Sequence, residues 1–156
     1  MKNIKRILVL SRMNQDSRKI ISFGIALARK HGATLLALHF VSNAVQMSAL
    51  NAPDMFPLDD FNNYMIMQQS AQENLEKIIQ DEIRLGFPIQ EVISEGVPVE
   101  ETMKMVKEEK IDLLILSAHE EGRIEHALFG GENDAIIRKM PCSILLVKDE
   151  PEPLDK

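Results

Sequence analysis

Gly130-Gly131, directly ahead of a stretch with helical character, is the best local signal for chemistry in this chain. Paired glycines let a backbone come close to a ligand, and the free N–H groups and positive dipole end of the following helix suit a phosphate. The same pair can also turn a chain into a helix with no ligand at all. Glu132 and Asp134 follow at once. Two unit charges ~4 Å apart interact by about 4 kcal/mol at an effective dielectric of 20, so these carboxylates oppose a phosphate unless they point outward.

Other residue types that could do chemistry lack the necessary spacing. His119, Glu120, Glu121 and His126 offer imidazole and carboxylate, both zinc ligands, but not two histidines four apart on one helical face. A solvated acidic loop is expected there, and no metal. Ser11 and Ser117 each end an apolar run, without the glycines of a nucleophile elbow and without an evident base. His39, inside the run Leu35 to Val41, is expected to be a hydrogen-bonded histidine of the core or its rim. Cys142 opens the run Cys142 to Val147 and has no second cysteine to pair with, so a reduced structural thiol is expected. No catalytic residue is assigned.

Four short apolar runs must position these groups: Ile7 to Leu10, Leu35 to Val41, Leu113 to Leu116 and Ile144 to Val147. They are nearly continuous, as in strands buried on both faces of a parallel sheet. Ile89 to Ser94 alternates and reads as an edge strand. A helix capped by Asp16 or Ser17 has its apolar side at Ile20, Gly24, Leu27, Ala28 and His31 and stops at Gly32. A longer one, capped by Asp59 or Asp60, carries Phe61, Met65, Gln68, Gln72, Leu75, Ile78 and Ile79 and stops at Gly86. Pro98 opens a third, with Glu100 and Glu101 at the positive end of its dipole. A fourth spans Glu132 to Lys139 and closes at Pro141.

Strands alternating with helices predict an α/β fold, an open, doubly wound, five-stranded parallel sheet with helices on both faces. Ligands bind such sheets beyond the carboxyl ends of the strands, where strand order switches. The connections of interest are therefore Ser11 to Ser17, Val41 to Asp59, Glu95 to Val99 and Ser117 to Gly131. The stretch Ser42 to Leu58, with Met47, Pro53, Met55, Phe56 and Pro57, is long for a compact domain, and its apolar side chains could close over a ligand or meet a partner.

At 156 residues the chain is the size of one domain. Its net charge of -6, with no cluster of Lys and Arg, argues against nucleic acid. The first apolar run ends at Ser11-Arg12, too short for a signal peptide, and no other approaches a membrane span. A cytoplasmic protein is expected.

Seven segments in order resemble the universal stress protein family. Lys5 to Val9 resembles its first strand, Ser17 to Gly32 its first helix, with the alanine-rich end Ala26 to Ala33, and Leu38-His39-Phe40-Val41 its second-strand ending. Glu95-Gly96-Val97-Pro98 is similar to its turn after the third strand, Ile111 to Leu116 to its fourth strand, and Met140 to Val147 to its proline-led last strand. The resemblance implies a Rossmann-like domain over residues 1–148, related to the adenine nucleotide alpha hydrolase fold, with a charged tail at 149–156. Nucleotide-binding members carry Gly-x2-Gly-x9-Gly-Ser/Thr after the fourth strand. In the register set by Pro141-Cys142 those positions fall on Ser117, Glu120, Gly130 and Gly131, and one glycine of three survives.

The family's adenine-contacting Asp falls on Arg12, which has donors but no acceptor for the adenine amine. Val41 takes the position beside adenine. The implied cleft is Ser11, Arg12, Val41, Gly96, Ser117, His119, Glu120, Gly130 and Gly131, and several penalties of about 1 to 2 kcal/mol would weaken ATP by orders of magnitude. Arg12 could instead face a different anion, helped by His119, Arg123 and Gly130. The expectation is a non-catalytic regulatory protein with no required cofactor, though ATP with Mg²⁺ remains possible. It would act as a homodimer paired through Ser143 to Val147 and through protein partners. The alternative is a nucleotide sensor or slow ATPase with an altered phosphate loop. A pyrophosphatase-like or flavoprotein-like enzyme is a third reading, opposed by the missing glycine loop.

Overall fold

The computed structural model describes residues 3–12, 17–41, 58–118 and 131–148. Five strands form one parallel sheet: β1 (Arg6–Ser11), β2 (Thr34–Phe40), β3 (Ile89–Ser94), β4 (Leu113–Ser117) and β5 (Ser143–Val147). Among the described residues four helices connect or flank them: α1 (Ser17–His31), α2 (Leu58–Arg84), α3 (Pro98–Glu108) and α4 (Glu132–Lys139). The sheet order is β3-β2-β1-β4-β5. The chain thus builds outward from β1 to one side, then returns to build the other, and the switch lies between β1 and β4.

Three of the four continuous apolar runs are the inner strands, where both faces need side chains. The fourth, Ile144 to Val147, lies in edge strand β5 and is only partly buried because, among the described residues, one side of it has no neighbouring strand. Ile7, Val9, Leu35, Ala37 and Ile115 pack against Ile20, Ile21, Ile25 and Ala28 of α1 and Leu75 and Ile79 of α2. Leu8, Leu36, Leu38, Phe40, Leu114 and Leu116 pack on the opposite face with Val106 of α3 and Ile136 of α4. β3, an edge as expected, leaves Gln90 to Ile93 exposed. β5 is the other edge and exposes Ser143 and Leu146. No helix among the described residues is long and apolar enough to cross a membrane.

At the amino end of the sheet, Asp112 Oδ2 accepts the Lys5 and Arg6 N–H groups at 2.9 and 3.0 Å. Arg6 Nη2 meets Glu109 Oε2 at 2.7 Å. These contacts fix the β1–β4 register, in which Ile7 lies beside Leu113 and Val9 beside Ile115.

Two helix faces differ from expectation. On α1 the buried stripe is Ser17, Ile20, Ile21, Gly24, Ile25 and Ala28, whereas Leu27 is half-buried and His31 exposed. Gly24 explains the rotation, because it faces Val9 and Leu35 where a side chain would collide and so brings the helix against the sheet there. α1 stops at left-handed Gly32, as expected. α2 has 27 residues, about 40 Å of helix against about 20 Å of strand, so its amino-terminal part overhangs the sheet. Met65 is therefore exposed, as are Ile66 and Met67, and among the residues whose burial is described the stripe runs from Gln68 through Ala71, Leu75 and Ile79, the Phe61 side chain lying outside them. Asp59 and Asp60 lie inside the first turn of a helix that starts at Leu58, rather than ahead of it.

Candidate functional site

β1 and β4 deliver their last residues to opposite sides of the switch point. Arg12 leaves β1, and its Nη2 donates to Asn133 Oδ1 of α4 at 3.0 Å. Asn133 Nδ2 donates to the Ser117 carbonyl at the end of β4 at 2.9 Å. One amide therefore links the ends of both strands to the first turn of α4. The space left beneath is a cavity of about 20 Å³ lined by Leu10, Arg12, Ser17, Ile20, Leu116, Ser117 and Asn133. That is room for about one water, against the 300 Å³ or more of a usual small-molecule site.

Helical rotation decides which residue of α4 faces inward. Asn133 lies three residues before Ile136, the buried anchor of this helix, and so shares its face. Asp134 is exposed on the outer side, in a hollow with Gly131, Ala135, Arg138 and Lys139. The outward alternative thus holds for Asp134. Glu132 is half-buried and does not line the inner cavity. Gly131 stands before the helix at φ +78° and ψ −1°, and no side chain caps the helix. A Ser or Thr there would need the left-handed conformation that side chains disfavour.

Ser11 closes β1 almost fully buried, with His39 as its β2 register partner. His39 is fully buried, and Nε2 lies 3.2 Å from Glu91 Oε1 of β3, as expected of a hydrogen-bonded core histidine. Burial lowers the imidazole to about 4, so it is neutral near pH 7. Burial, with a contribution from Glu76, raises the Glu91 carboxyl. Val41 lies one residue beyond β2, and its N–H donates to the Ser94 carbonyl at 3.1 Å. The Gly96 N–H donates to Ser94 Oγ at 3.0 Å. The structure thus joins Arg12 and Ser117 through Asn133 and gathers Val41 and Gly96 around Ser94. His119, Glu120 and Gly130 lie outside the described residues, as do Glu121, Arg123, His126 and residues 42–57. Cys142 is half-buried, and burial raises its thiol above the ordinary range.

The family model for the universal stress protein family matches residues 3–148. The chain belongs to that family. A universal stress protein of Methanocaldococcus jannaschii is 29% identical over 80 residues, which are 51% of this chain and 48% of that protein. Its solved structure has a TM-score of 0.65 at 19% identity, covering 97% of this chain and 100% of that one. Universal stress protein E of Escherichia coli is 25% identical over 151 residues, 96% of this chain and 46% of that protein. The chain spans about half the length of these curated relatives. A universal stress protein solved in complex with cAMP has a TM-score of 0.56 at 17% identity, over 94% of this chain and 98% of that one.

In this universal stress protein the described part of the implied cleft is Ser11, Arg12, Val41, Gly96, Ser117 and Gly131. Arg12 presents donors and no acceptor, its side chain is engaged with Asn133, and Gly131 brings no hydroxyl. Arg12 and Ser117 could be nominated from their places at strand ends. Asn133 was missed, although its spacing from Ile136 and Ile137 put it on the inward face.

Proposed function

We propose that this chain is a non-catalytic regulatory universal stress protein whose nucleotide cleft is closed by its own side chains. The observation that carries this reading is the Arg12–Asn133–Ser117 link across the β1–β4 switch point, with about 20 Å³ left beneath it. Its test is a melting curve with and without ATP and Mg²⁺. A ligand at 100 times its Kd stabilises the native state by about 2.7 kcal/mol, a shift of several degrees at this size. The wild type is expected not to move, and a shift of that size would defeat the closed-cleft reading. Arg12→Asp restores an acceptor and breaks the link, and is expected to tighten AMP about tenfold or more, by titration calorimetry.

The protein acts as a homodimer, through contacts with itself and with protein partners. β5 is an edge strand with one unpaired side, and Leu146 (48% exposed) and Met140 (65% exposed) lie at or beside it. Apolar edges of this kind need covering. Light scattering at micromolar concentration is expected to give twice the chain mass, and Leu146→Lys the single-chain mass. A wild-type monomer would remove this part of the reading. An unpaired thiol suits a reducing compartment, which favours the cytoplasm.

The second reading is an adenine-nucleotide sensor or slow ATPase. The cAMP complex of a structurally similar family member favours it. The same melting experiment separates the two.

A further inference from the structure

We infer that the outer edge of β3 is a docking site for an extended segment of a partner protein, one that alternates basic and apolar residues and adds a strand to the sheet. The inference rests on the reading above that the protein works through protein partners, and it gives them the edge opposite to the one assigned to the homodimer. The backbone supplies the first observation. The Leu35 N–H donates to the Pro88 carbonyl, and the Val41 N–H to the Ser94 carbonyl. Alternate residues of a strand turn the same way, so Gln90, Val92 and Ser94 direct their backbone groups to β2, while Ile89, Glu91 and Ile93 direct theirs outward. No strand lies on that side among the described residues. The outward residues thus offer N–H and C=O groups at the spacing an added strand needs.

The side chains decide what that strand must carry. Glu91 lies on the face covered by α2, as its register partner Ala37 does, and Val92 lies on the opposite face with its register partner Leu38. The Glu91 side chain is half-buried, its partner His39 supplies no positive charge near pH 7, and Glu76 of α2 places a second negative charge near it. A Lys or Arg brought to this face by an added strand meets both carboxylates, and its aliphatic stem covers the exposed Ile93 two residues on. On the other face Val92 is exposed, with Val97 exposed just beyond the strand, and a β-branched residue of the partner packs there. One basic face and one apolar face make an alternating sequence, which is the period of an extended strand. A second copy of β3 does not meet this requirement. Antiparallel pairing centred on the outward residues sets Glu91 against Glu91, and like charges directly opposite are destabilising.

The test is fluorescence anisotropy of labelled peptides with the full chain at physiological salt. A peptide of about seven residues alternating Val and Lys is expected to bind about tenfold or more tightly than one of the same composition with Val and Lys in two blocks. The peptide with Glu in place of Lys is expected not to bind. Glu76→Lys, on the exposed side of α2, is expected to weaken the alternating peptide about tenfold. Ile93→Pro removes an outward N–H, leaves the bonds to β2 in place, and is expected to abolish binding. If Ile93→Pro fails to fold, Glu91→Gln, which keeps the shape and removes the charge, carries the comparison with a loss of about tenfold. Equal affinity for the alternating and blocked peptides, or affinity unchanged in Ile93→Pro, overturns the proposal. A wild-type mass that halves in Ile93→Pro also overturns it, because the edge then belongs to a second copy. Leu146→Lys addresses β5 and is expected to leave peptide affinity unchanged, whereas a loss there places the peptide on the wrong edge. A wild-type monomer that binds the alternating peptide defeats the homodimer reading and supports this one.

Discussion

Gly24→Val is expected to cost the fold about 3 kcal/mol, at the upper end of what overpacking a core imposes. A Cβ at Gly24 would stand 2.6 Å from Val9 Cγ2 and 3.3 Å from Leu35 Cδ1. Both neighbours are fully buried, Val9 in the central strand and Leu35 beside it, so neither has open space to move into. Valine's better helix propensity returns only a few tenths of a kcal/mol. For a chain of this size, a loss of about 3 kcal/mol lowers the melting temperature by about 6 to 12 °C. A melting temperature within a degree of wild type would show that α1 does not sit this close to the sheet. The substitution also bears on function, because Ser17 and Ile20 of α1 line the cavity under Arg12 and a lifted α1 widens it.

Stability is also expected to fall as pH drops from about 6.5 toward 4, through His39. Its ordinary value is 6.5, and burial lowers it to about 4 in the native state. The unfolded chain therefore takes up the proton first, so acid favours unfolding across this window. The full shift corresponds to about 3 kcal/mol as an upper figure. Glu91 acts in the opposite sense. Its native value is raised from 4.5, so the native state takes up that proton first and recovers part of the loss at the acid end of the window. Near pH 7, neutral His39 donates from Nε2 to the Glu91 carboxylate, while Nδ1 has no hydrogen-bond partner among the described residues. Urea midpoints at pH 7, 5.5 and 4.5 should separate wild type from His39→Gln, which has no proton to gain. Parallel curves for the two proteins would show that His39 is not the group responsible.

The strands were legible because three of the five are buried on both faces, a condition that only near-continuous apolar runs satisfy. The edge character of β3 was legible from Gln90 and Glu91, polar residues that an inner strand would not tolerate. Helix faces were less secure. Positions 20, 24, 28 and 31 fit one stripe on α1, while 17, 20, 21, 24, 25 and 28 fit its neighbour, and only packing against Val9 selects between them. The exposure of Met65 depends on how far α2 outruns the sheet, and no residue of the helix encodes that. Within the site, Arg12 and Ser117 follow from where strands end. Asn133 depends on the roll of a short helix, set by Ile136, and roll is a tertiary property.

The bond between Arg12 and Asn133 joins residues 121 positions apart, and its chemistry bears on how such a cleft changes over evolutionary time. A primary amide both accepts and donates, and the Asn133 Nδ2 bound to Ser117 has a second hydrogen. If position 12 became acidic, that second hydrogen could be donated toward it, but Asn133 Oδ1 would lose the guanidinium it now accepts from. Positions 12 and 133 are thus coupled, and a change of charge at the end of β1 calls for an answering change on the first turn of α4.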